Sequence, residues 1–311
     1  MNLDENLVKL SGESILSIAD LDSNQITSLI DLAGLIKNNS VQFNYTKKNL
    51  GLIFEKSSTR TRVSFQVAMN RLSGNTIEIN PSNTQIGRGE SIKDTVRVLS
   101  NYVDALAIRT FDQNILEEYR SWGSIPIINA LTDLEHPCQI LADFLTIKEE
   151  FSGFENIIVS YFGDGNNIAN SLILCGAILG VQINIGCPEG FEPNNKIIEK
   201  SLSLNKGHKG VKITNDPYEA AEGANVIYTD VWTSMGQECQ AKEKEKLFKN
   251  YSVNKELVKH SDQRHIILHC LPAYRGKEIS DEIMESKTSR IFKQSENRLH
   301  VQQALLAAIF S

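Results

Sequence analysis

Short, almost uninterrupted apolar runs constrain the fold of this chain more than any other feature. Runs such as NIIVSYFG (Asn156–Gly163) and VQINIGC (Val181–Cys187) lack the alternation of a half-exposed strand. They are typical of strands that are covered on both faces, and segments with helical spacing separate them. This alternation of buried strands and helices predicts parallel sheets joined by right-handed crossovers.

The runs fall into two series, which predicts two α/β domains rather than one large sheet. The first series is NLGLIF (49–54), NTIEI (75–79), DALAIRT (104–110) and IPIINA (125–130), and the second is 156–163, 181–187, VKIT (211–214), NVIYTDVW (225–232) and HIILHCLP (265–272). A chain of 311 residues is long enough for two cores. We expect doubly wound parallel-sheet domains over 1–148 and 149–294, joined near EEFSGFEN (149–156), with a final helix (295–311) that packs back onto the first. Ser23 is the predicted N-cap of an early helix whose apolar face carries Ile26, Leu29, Ile30 and Ala33.

Composition excludes several classes of protein. The net charge of −6 leaves no excess of basic residues for non-specific nucleic-acid binding. No apolar run is long enough to span a bilayer, and the first ten residues do not resemble a signal peptide. The five cysteines form no CxxC pair and no zinc pattern. We therefore expect a cytoplasmic protein with no nucleic-acid, membrane or metal partner.

Polar side chains follow the predicted strands. Because ligands bind beyond the carboxyl ends of parallel strands, these residues predict the site. They are Ser57 to Arg62 after the first strand, Arg109, His136 to Gln139, Asp164 to Asn167, Asp230 with Ser234 to Gly236, and His269 to Pro272.

The stretch SSTRTR (57–62) places hydroxyls and arginines at the start of a predicted helix. Unpaired backbone N–H groups and a partial positive charge at such a position favour an anion such as phosphate. Arg60 adds a guanidinium fork that matches phosphate oxygens. The alternative is an ordinary Ser/Thr cap followed by solvated arginines. The stretch lacks the pattern of a Walker A loop.

The remaining motifs each allow two interpretations. FGDGNN (162–167) imitates the start of a dinucleotide-binding fingerprint, but its asparagines could equally cap a helix or bind a zwitterion. His136 is either a structural cap or a donor to a carbonyl oxygen. Cys270 is either a small buried apolar group or part of a site. The segment DVWTSMGQE (230–238) is either a surface connection or a mobile lid.

Taken together, the motifs resemble those of the aspartate/ornithine transcarbamylase superfamily, and within it the ornithine branch. SSTRTR is similar to the family's carbamoyl-phosphate loop, HPCQ (136–139) to its His-Pro-x-Gln motif, and TQIGRGES (84–91) to its mobile loop. GDGNN, DVWTSMGQE and HCLP (269–272) resemble the ornithine-side motifs, and ENRLHVQQALL (296–306) the closing helix. The order matches along essentially the whole chain.

The resemblance implies transfer of a carbamoyl group from carbamoyl phosphate to L-ornithine, in a cleft between the two domains. It assigns carbamoyl phosphate to the first domain and ornithine to the second. The implied carbamoyl-phosphate residues are Ser58, Thr59, Arg60, Thr61, Gln85, Arg109, His136, Gln139, Cys270, Leu271 and Arg298. The implied ornithine residues are Asn167, Asp230, Ser234 and Met235, and the implied catalytic residues are Arg109, His136, Asp230 and Cys270.

The resemblance also implies a homotrimer, in which the loop carrying Gln85 lies near a neighbouring subunit's site. It calls for no metal and no organic cofactor. The competing interpretations are a carbamoyltransferase acting on acetylornithine, putrescine or aspartate, a nicotinamide-dependent oxidoreductase suggested by GDG alone, and a binding module without catalysis.

Overall fold

The chain divides into two compact units, each built on one parallel sheet. A computed structural model describes residues 3–81, 84–85, 89–205, 207, 210–233 and 241–311. The first unit comprises Met1–Leu145 and Asn297–Ser311, and the second comprises Thr146–Glu296. Two parallel sheets with intervening helices confirm the predicted α/β fold class.

The first unit has a four-stranded sheet with the order β2-β1-β3-β4. Its strands are β1 (Asn49–Phe54), β2 (Asn75–Ile79), β3 (Ala105–Arg109) and β4 (Ile127–Leu131). Its helices are α1 (Glu5–Val8), α2 (Ser23–Lys37), α3 (Thr59–Arg71), α4 (Ile92–Leu99), α5 (Gln113–Trp122), most of α6 (Pro137–Phe151) and most of α13 (Ile291–Ile309). A short 3₁₀ turn spans Ile18–Asp20. β1 and β2 have the predicted bounds, whereas β3 and β4 differ from them by one or two residues at their ends.

The core of the first unit lies between this sheet and its helices. Leu50–Phe54 of β1 and all of β3 are buried, as is typical of strands that are covered on both faces. One buried cluster contains Leu16, Ile53, Val96, Val103, Leu106, Ile108, Leu116, Tyr119 and Ile127.

The predicted cap of α2 is wrong by one residue. The N-cap is Asp22, whose side chain accepts from the Gln25 backbone N–H, while the Gln25 side chain accepts from the Asp22 N–H. This reciprocal capping box satisfies the backbone N–H groups of both Asp22 and Gln25. A cap at Ser23 would not form this pair of hydrogen bonds. The predicted apolar face is confirmed, since Ile26, Leu29, Ile30 and Ala33 are buried.

The second unit has a five-stranded parallel sheet with the order β7-β6-β5-β8-β9. Its strands are β5 (Ile158–Phe162), β6 (Gln182–Gly186), β7 (Val211–Thr214), β8 (Val226–Thr229) and β9 (Ile266–His269). Its helices are α7 (Asn167–Leu179), α8 (Asn195–Leu204), α9 (Pro217–Ala221), α10 (Ala241–Phe248), α11 (Lys255–Val258) and α12 (Asp281–Met284), with a 3₁₀ turn at Lys249–Tyr251. Within the described residues, no helix combines the length and apolar composition that crossing a bilayer requires.

Two helical glycines provide a matched test of the packing in this fold. A Cβ on Gly176 in α7 would lie 2.3 Å from Cγ1 of Ile183 in β6, whereas a Cβ on Gly34 in α2 would meet nothing within 4 Å. We expect Gly176→Ala to lower stability by about 1–3 kcal/mol through overpacking. Gly34→Ala should raise stability by up to about 1 kcal/mol, because alanine favours helix. Thermal melts of both variants check this, and equal shifts would contradict the close approach of α7 to β6.

Candidate active site

The polar residues lie where the strand order reverses in each sheet. In the first sheet β1 lies between β2 and β3, and in the second β5 lies between β6 and β8. Connections leave these neighbouring strands in opposite directions, which opens a crevice at their carboxyl ends. Ser58 to Thr61 follow β1 and Arg109 ends β3, while Asn166 follows β5 and Asp230 follows β8.

In the first unit, two arginines converge on one buried hydroxyl. Ser58 caps α3 by accepting from the Thr61 backbone N–H, at 3.2 Å. The Thr61 side-chain oxygen accepts from Arg298 Nη2 at 2.5 Å and from Arg109 Nη1 at 3.4 Å. Thr61, Arg109 and Arg298 are all buried. Two cations therefore lie at the N-terminus of a helix, where an anion is favoured.

His136 is buried beside these cations as a neutral imidazole. Burial, followed by the positive charges of Arg298 and Arg109, holds the pKa of His136 well below its usual 6.5. Such a side chain stays uncharged down to mildly acidic pH. It can donate a hydrogen bond without adding a third positive charge to the cluster.

Gln139 offers a buried acceptor close to His136 on the first turn of α6. Its Nε2 donates to Asp143 Oδ1 at 2.8 Å, which fixes the orientation of the amide. Its Oε1 has no hydrogen-bond partner among the described residues. Because an unsatisfied buried acceptor costs free energy, this oxygen is suited to a ligand N–H.

The other predicted residues of this unit are more exposed. Arg60 is half-buried in the first turn of α3, and Thr59 beside it is exposed. Gln85 is also exposed, and its backbone carbonyl accepts from Glu90 N–H at 3.1 Å. We name Thr61, Arg109, His136, Gln139 and Arg298 the first half-site.

In the second unit, a buried carboxylate is held by an amide and a thiol. Asp230 Oδ2 accepts from Asn166 Nδ2 at 3.0 Å, and Asp230 Oδ1 accepts from Cys270 Sγ at 2.8 Å. Asn166 also caps α7, since its Oδ1 accepts from the Ile168 and Ala169 backbone N–H groups. The cap thereby ties the orientation of the Asp230 side chain to the start of a helix.

Sequence reasoning selected Asn167 for this half-site and left Asn166 as a possible cap. Asn166 is both the cap and the residue that contacts Asp230, while Asn167 is half-buried at the first position of α7. The two adjacent asparagines in GDGNN were the available signal. Ser234 and Met235 lie outside the described residues. We name Asn166, Asp230, His269, Cys270 and Leu271 the second half-site.

A His–Glu pair holds the backbone next to Cys270. His269 Nδ1 accepts from the Leu271 backbone N–H at 2.9 Å, so its Nε2 carries the proton that it shares with Glu278 Oε1, 3.2 Å away. Both side chains are buried. Leu271 has a φ of 58°, in the left-handed region that a leucine rarely adopts. No sequence pattern pointed to Glu278, because the pairing depends on the turn after β9.

The spacing of Asp230, His269 and Cys270 would admit a metal ion, since their ligand atoms lie within 4.8 Å of one another. However, Nδ1 of His269 already accepts a hydrogen bond and its Nε2 faces a carboxylate. A metal ligand needs a free nitrogen lone pair. The donor set therefore fits a hydrogen-bonded cluster better than a metal centre.

The partial dinucleotide fingerprint has a packing explanation. A Cβ on Gly165 would lie 2.3 Å from the Pro193 backbone nitrogen and 2.4 Å from the Glu192 carbonyl carbon. The Gly165 N–H also donates to the Phe191 carbonyl at 2.8 Å. Glycine is required here by a neighbouring loop, and a nucleotide is not needed to account for it.

Two family models match this chain, one over each of its two parts. Residues 13–149 match the family described as aspartate/ornithine carbamoyltransferase, carbamoyl-P binding domain, and residues 155–309 match the Asp/Orn binding domain. An ornithine carbamoyltransferase of Prochlorococcus marinus (strain MIT 9312) is 60% identical over 303 residues, which cover 97% of this chain and 98% of the relative.

Solved structures of the same family are also similar to this chain. The crystal structure of ornithine carbamoyltransferase from Gloeobacter violaceus is 46% identical, with a TM-score of 0.87 over 97% of this chain and 99% of the other. The ornithine carbamoyltransferase from Pyrococcus furiosus is 42% identical, with a TM-score of 0.93 over 97% of this chain and 98% of the other. Matches at this identity over the full length of both domains leave one assignment: the chain belongs to the aspartate/ornithine carbamoyltransferase family.

Proposed function

We propose that this chain transfers the carbamoyl group of carbamoyl phosphate to the δ-amine of L-ornithine, giving L-citrulline and phosphate. The observation that carries this proposal is the convergence of Arg109 and Arg298 on Thr61 at the mouth of α3. The names of the relatives favour ornithine over acetylornithine, putrescine and aspartate as the acceptor, and over a nicotinamide-dependent reaction.

The phosphate dianion binds at the start of α3 in this proposal. Ser58, Thr59, Arg60 and Thr61 contribute backbone and side-chain donors, Arg109 contributes charge, and Gln85 reaches the same ligand. Charge-assisted hydrogen bonds of this kind are shorter and stronger than neutral ones. The buried arginines thus exchange a hydroxyl partner for a charged one when substrate arrives.

The carbamoyl group is polarised by the first half-site. Thr61, Arg109 and His136 donate to the carbonyl oxygen, on which negative charge develops as the amine attacks. Gln139 Oε1 and the backbone carbonyl of Leu271 accept hydrogen bonds from the carbamoyl NH2. Cys270 and Arg298 also line the carbamoyl-phosphate site. Removing one donor of this kind typically costs about 10²–10³ in rate.

The amine must attack as a neutral group. A δ-ammonium resembles lysine, with a pKa of about 10.4, so roughly one molecule in a thousand is reactive near neutral pH. Asp230 and Cys270 orient the amine, and Asn167, Ser234 and Met235 bind the α-amino and α-carboxylate groups with Asp230. The reaction requires this amine to reach the carbon held by the first half-site. The departing phosphate takes the last proton.

A direct assay tests the proposed function. Citrulline formation from ornithine should exceed product formation from aspartate, acetylornithine and putrescine at equal concentrations. Preference for any of the other amines would overturn the assignment of the acceptor.

A pair of variants separates the two substrates. Arg60→Ala should weaken carbamoyl-phosphate binding by at least about tenfold, because a charge-assisted hydrogen bond contributes about 1.5–3 kcal/mol. Asp230→Asn should raise the KM for ornithine and leave carbamoyl-phosphate affinity unchanged. Arg71→Ala, an exposed arginine at the other end of α3, is the matched control. Near-normal saturation by carbamoyl phosphate in Arg60→Ala, or loss of both affinities in Asp230→Asn, would contradict this division of roles.

We also propose a cytoplasmic homotrimer in which the Gln85 loop serves a neighbouring subunit's site. The edge strand β2 is largely exposed, with Ile77 at 43% of its maximum, and Val63 on α3 is 48% exposed. Apolar groups at an open sheet edge favour contact with another subunit. Among the described residues, Cys138, Cys175, Cys187 and Cys270 form no disulfide with one another, which agrees with a reducing compartment.

Sedimentation equilibrium tests the assembly. We expect a mass near three times the 34.7 kDa of one chain. A mass of one or two chains at micromolar concentration would rule out the trimer.

A further inference from the structure

A buried acidic side chain lies directly before His136, and the proposed mechanism gives it no role. Glu135 is 2% exposed and lies in the turn between β4 and α6. Its Oε1 accepts from the Ser17 hydroxyl at 2.6 Å, and its Oε2 accepts from the Ile18 backbone N–H at 3.1 Å. These donors are 118 and 117 positions away in the sequence. Because glutamate is rarely buried without partners, this contact between two distant segments calls for an explanation.

The segment that supplies both donors lies beside β4. Ile15 forms an isolated parallel bridge with Ile128. The Ile15 N–H donates to the Ile127 carbonyl at 2.9 Å, and the Asn129 N–H donates to the Ile15 carbonyl at 2.8 Å. Because the bridge is parallel, the chain after Ile15 runs toward the carboxyl end of β4. It therefore reaches the turn in which Glu135 lies.

The backbone of this turn is closed by Thr132. The Thr132 N–H donates to the Glu135 carbonyl at 2.9 Å, and the Glu135 N–H donates to Thr132 Oγ1 at 3.1 Å. The Thr132 hydroxyl also donates to Gln113 Oε1 at 2.7 Å. The Glu135 carbonyl and the His136 N–H belong to one peptide plane. The turn thus fixes the plane that precedes His136.

The peptide plane that follows His136 is fixed by α6. The His136 carbonyl accepts from the Gln139 N–H at 3.0 Å and from the Ile140 N–H at 3.3 Å. With both flanking planes held, the direction of the His136 Cα–Cβ bond is set. The helix side is part of a regular backbone ladder. The turn side depends on the side chains of Thr132 and Glu135.

We propose that Glu135 is a positioning residue for His136: its hydrogen bonds to Ser17 and Ile18 hold the turn that orients the imidazole toward the carbamoyl carbonyl. The inference rests on the proposed function, because this carbonyl is the group that His136 polarises. Glu135 touches neither substrate nor reacting atoms in this account. A purely structural role, in which Glu135 only joins the two segments, predicts different results in the following experiments.

A double-mutant cycle with His136 is the first test, because residues that act through one group are not additive. Glu135→Ala should lower kcat by about tenfold or more, since a misplacement of about 1 Å can cost on the order of 10² in rate. In the His136→Ala background, Glu135→Ala should lower kcat by less than about twofold. The KM for ornithine should stay near the wild-type value, because His136 acts on charge that develops in the transition state.

Two serines provide a matched pair of variants. Ser17→Ala removes one hydrogen bond from Glu135 and should lower kcat by about twofold to tenfold, with no further loss in the His136→Ala background. Ser14 Oγ accepts from the Ile127 backbone N–H at 2.9 Å, at the opposite end of β4. Ser14→Ala should therefore leave kcat unchanged. Thermal melts report the stability of each variant separately from its rate.

The titration of His136 is a second test, which does not depend on activity. Burial and the charges of Arg298 and Arg109 hold the pKa of His136 well below its usual 6.5. Displacement of the imidazole should raise this pKa toward 6.5 in Glu135→Ala and leave it low in Ser14→Ala. NMR of ¹³C-labelled histidine measures it, and His136→Ala assigns the signal among the six histidines.

The outcomes separate the two roles. The role of Glu135 is overturned by an equal loss of kcat in both backgrounds, by an unchanged pKa of His136 in folded Glu135→Ala, or by equal losses of kcat in Ser14→Ala and Ser17→Ala. If Glu135→Ala does not fold, Ser17→Ala decides in the same cycle and by the same titration. A wild-type enzyme that forms no citrulline would instead refute the proposed function, and the titration would still test the contact between Glu135 and the position of His136.

Discussion

Parallel strand pairing is the constraint on which the rest of this structure depends. In each sheet every described strand runs in the same direction, so all carboxyl ends meet at one edge. Residues far apart in the sequence are thereby brought together, such as Thr61 and Arg109 in the first unit, where Arg298 of α13 also contacts Thr61. Loops at this edge can carry polar groups while the strands behind them remain apolar and rigid.

The two half-sites have opposite electrostatic character. The first collects guanidinium groups and a helix N-terminus around a hydroxyl, and keeps His136 neutral by the same charges. The second collects carboxylates, of which Asp164 is paired with Lys244 and Asp230 is held by neutral donors. A dianion and an ammonium ion are the ligands that these two environments favour. Each half-site is suited to one of the two proposed substrates.

Buried polar atoms without partners mark where ligands are expected. Gln139 has its amide nitrogen bonded to Asp143 while its oxygen is unsatisfied, which fixes the amide orientation and directs selectivity toward an N–H donor. Leu271 retains an unusual backbone conformation because His269 and Glu278 hold the turn around it. A strained backbone conformation of this kind persists only where surrounding interactions hold it in place. It is common at functional sites.

Most of the fold could be predicted from the sequence, because apolar runs and helix caps are local signals. The bounds of β1, β2 and β7 were predicted directly. The motifs after the strands selected Thr61, Arg109, His136, Asp230 and Cys270 as candidate site residues. The cap of α2 was missed by one residue because Asp22 and Ser23 are both good caps, and only the reciprocal bond from Gln25 distinguishes them.

The sequence by itself determined two parallel α/β units and the chemical types of the candidate site residues, because apolar periodicity and turn residues are local features of the sequence. The tertiary structure alone decided which polar groups meet. Arg298 lies 237 positions from the hydroxyl that it contacts, and Lys244 lies 80 positions from Asp164. No local pattern encodes such pairings, because they depend on how strands order within a sheet and on which helix face is buried against it.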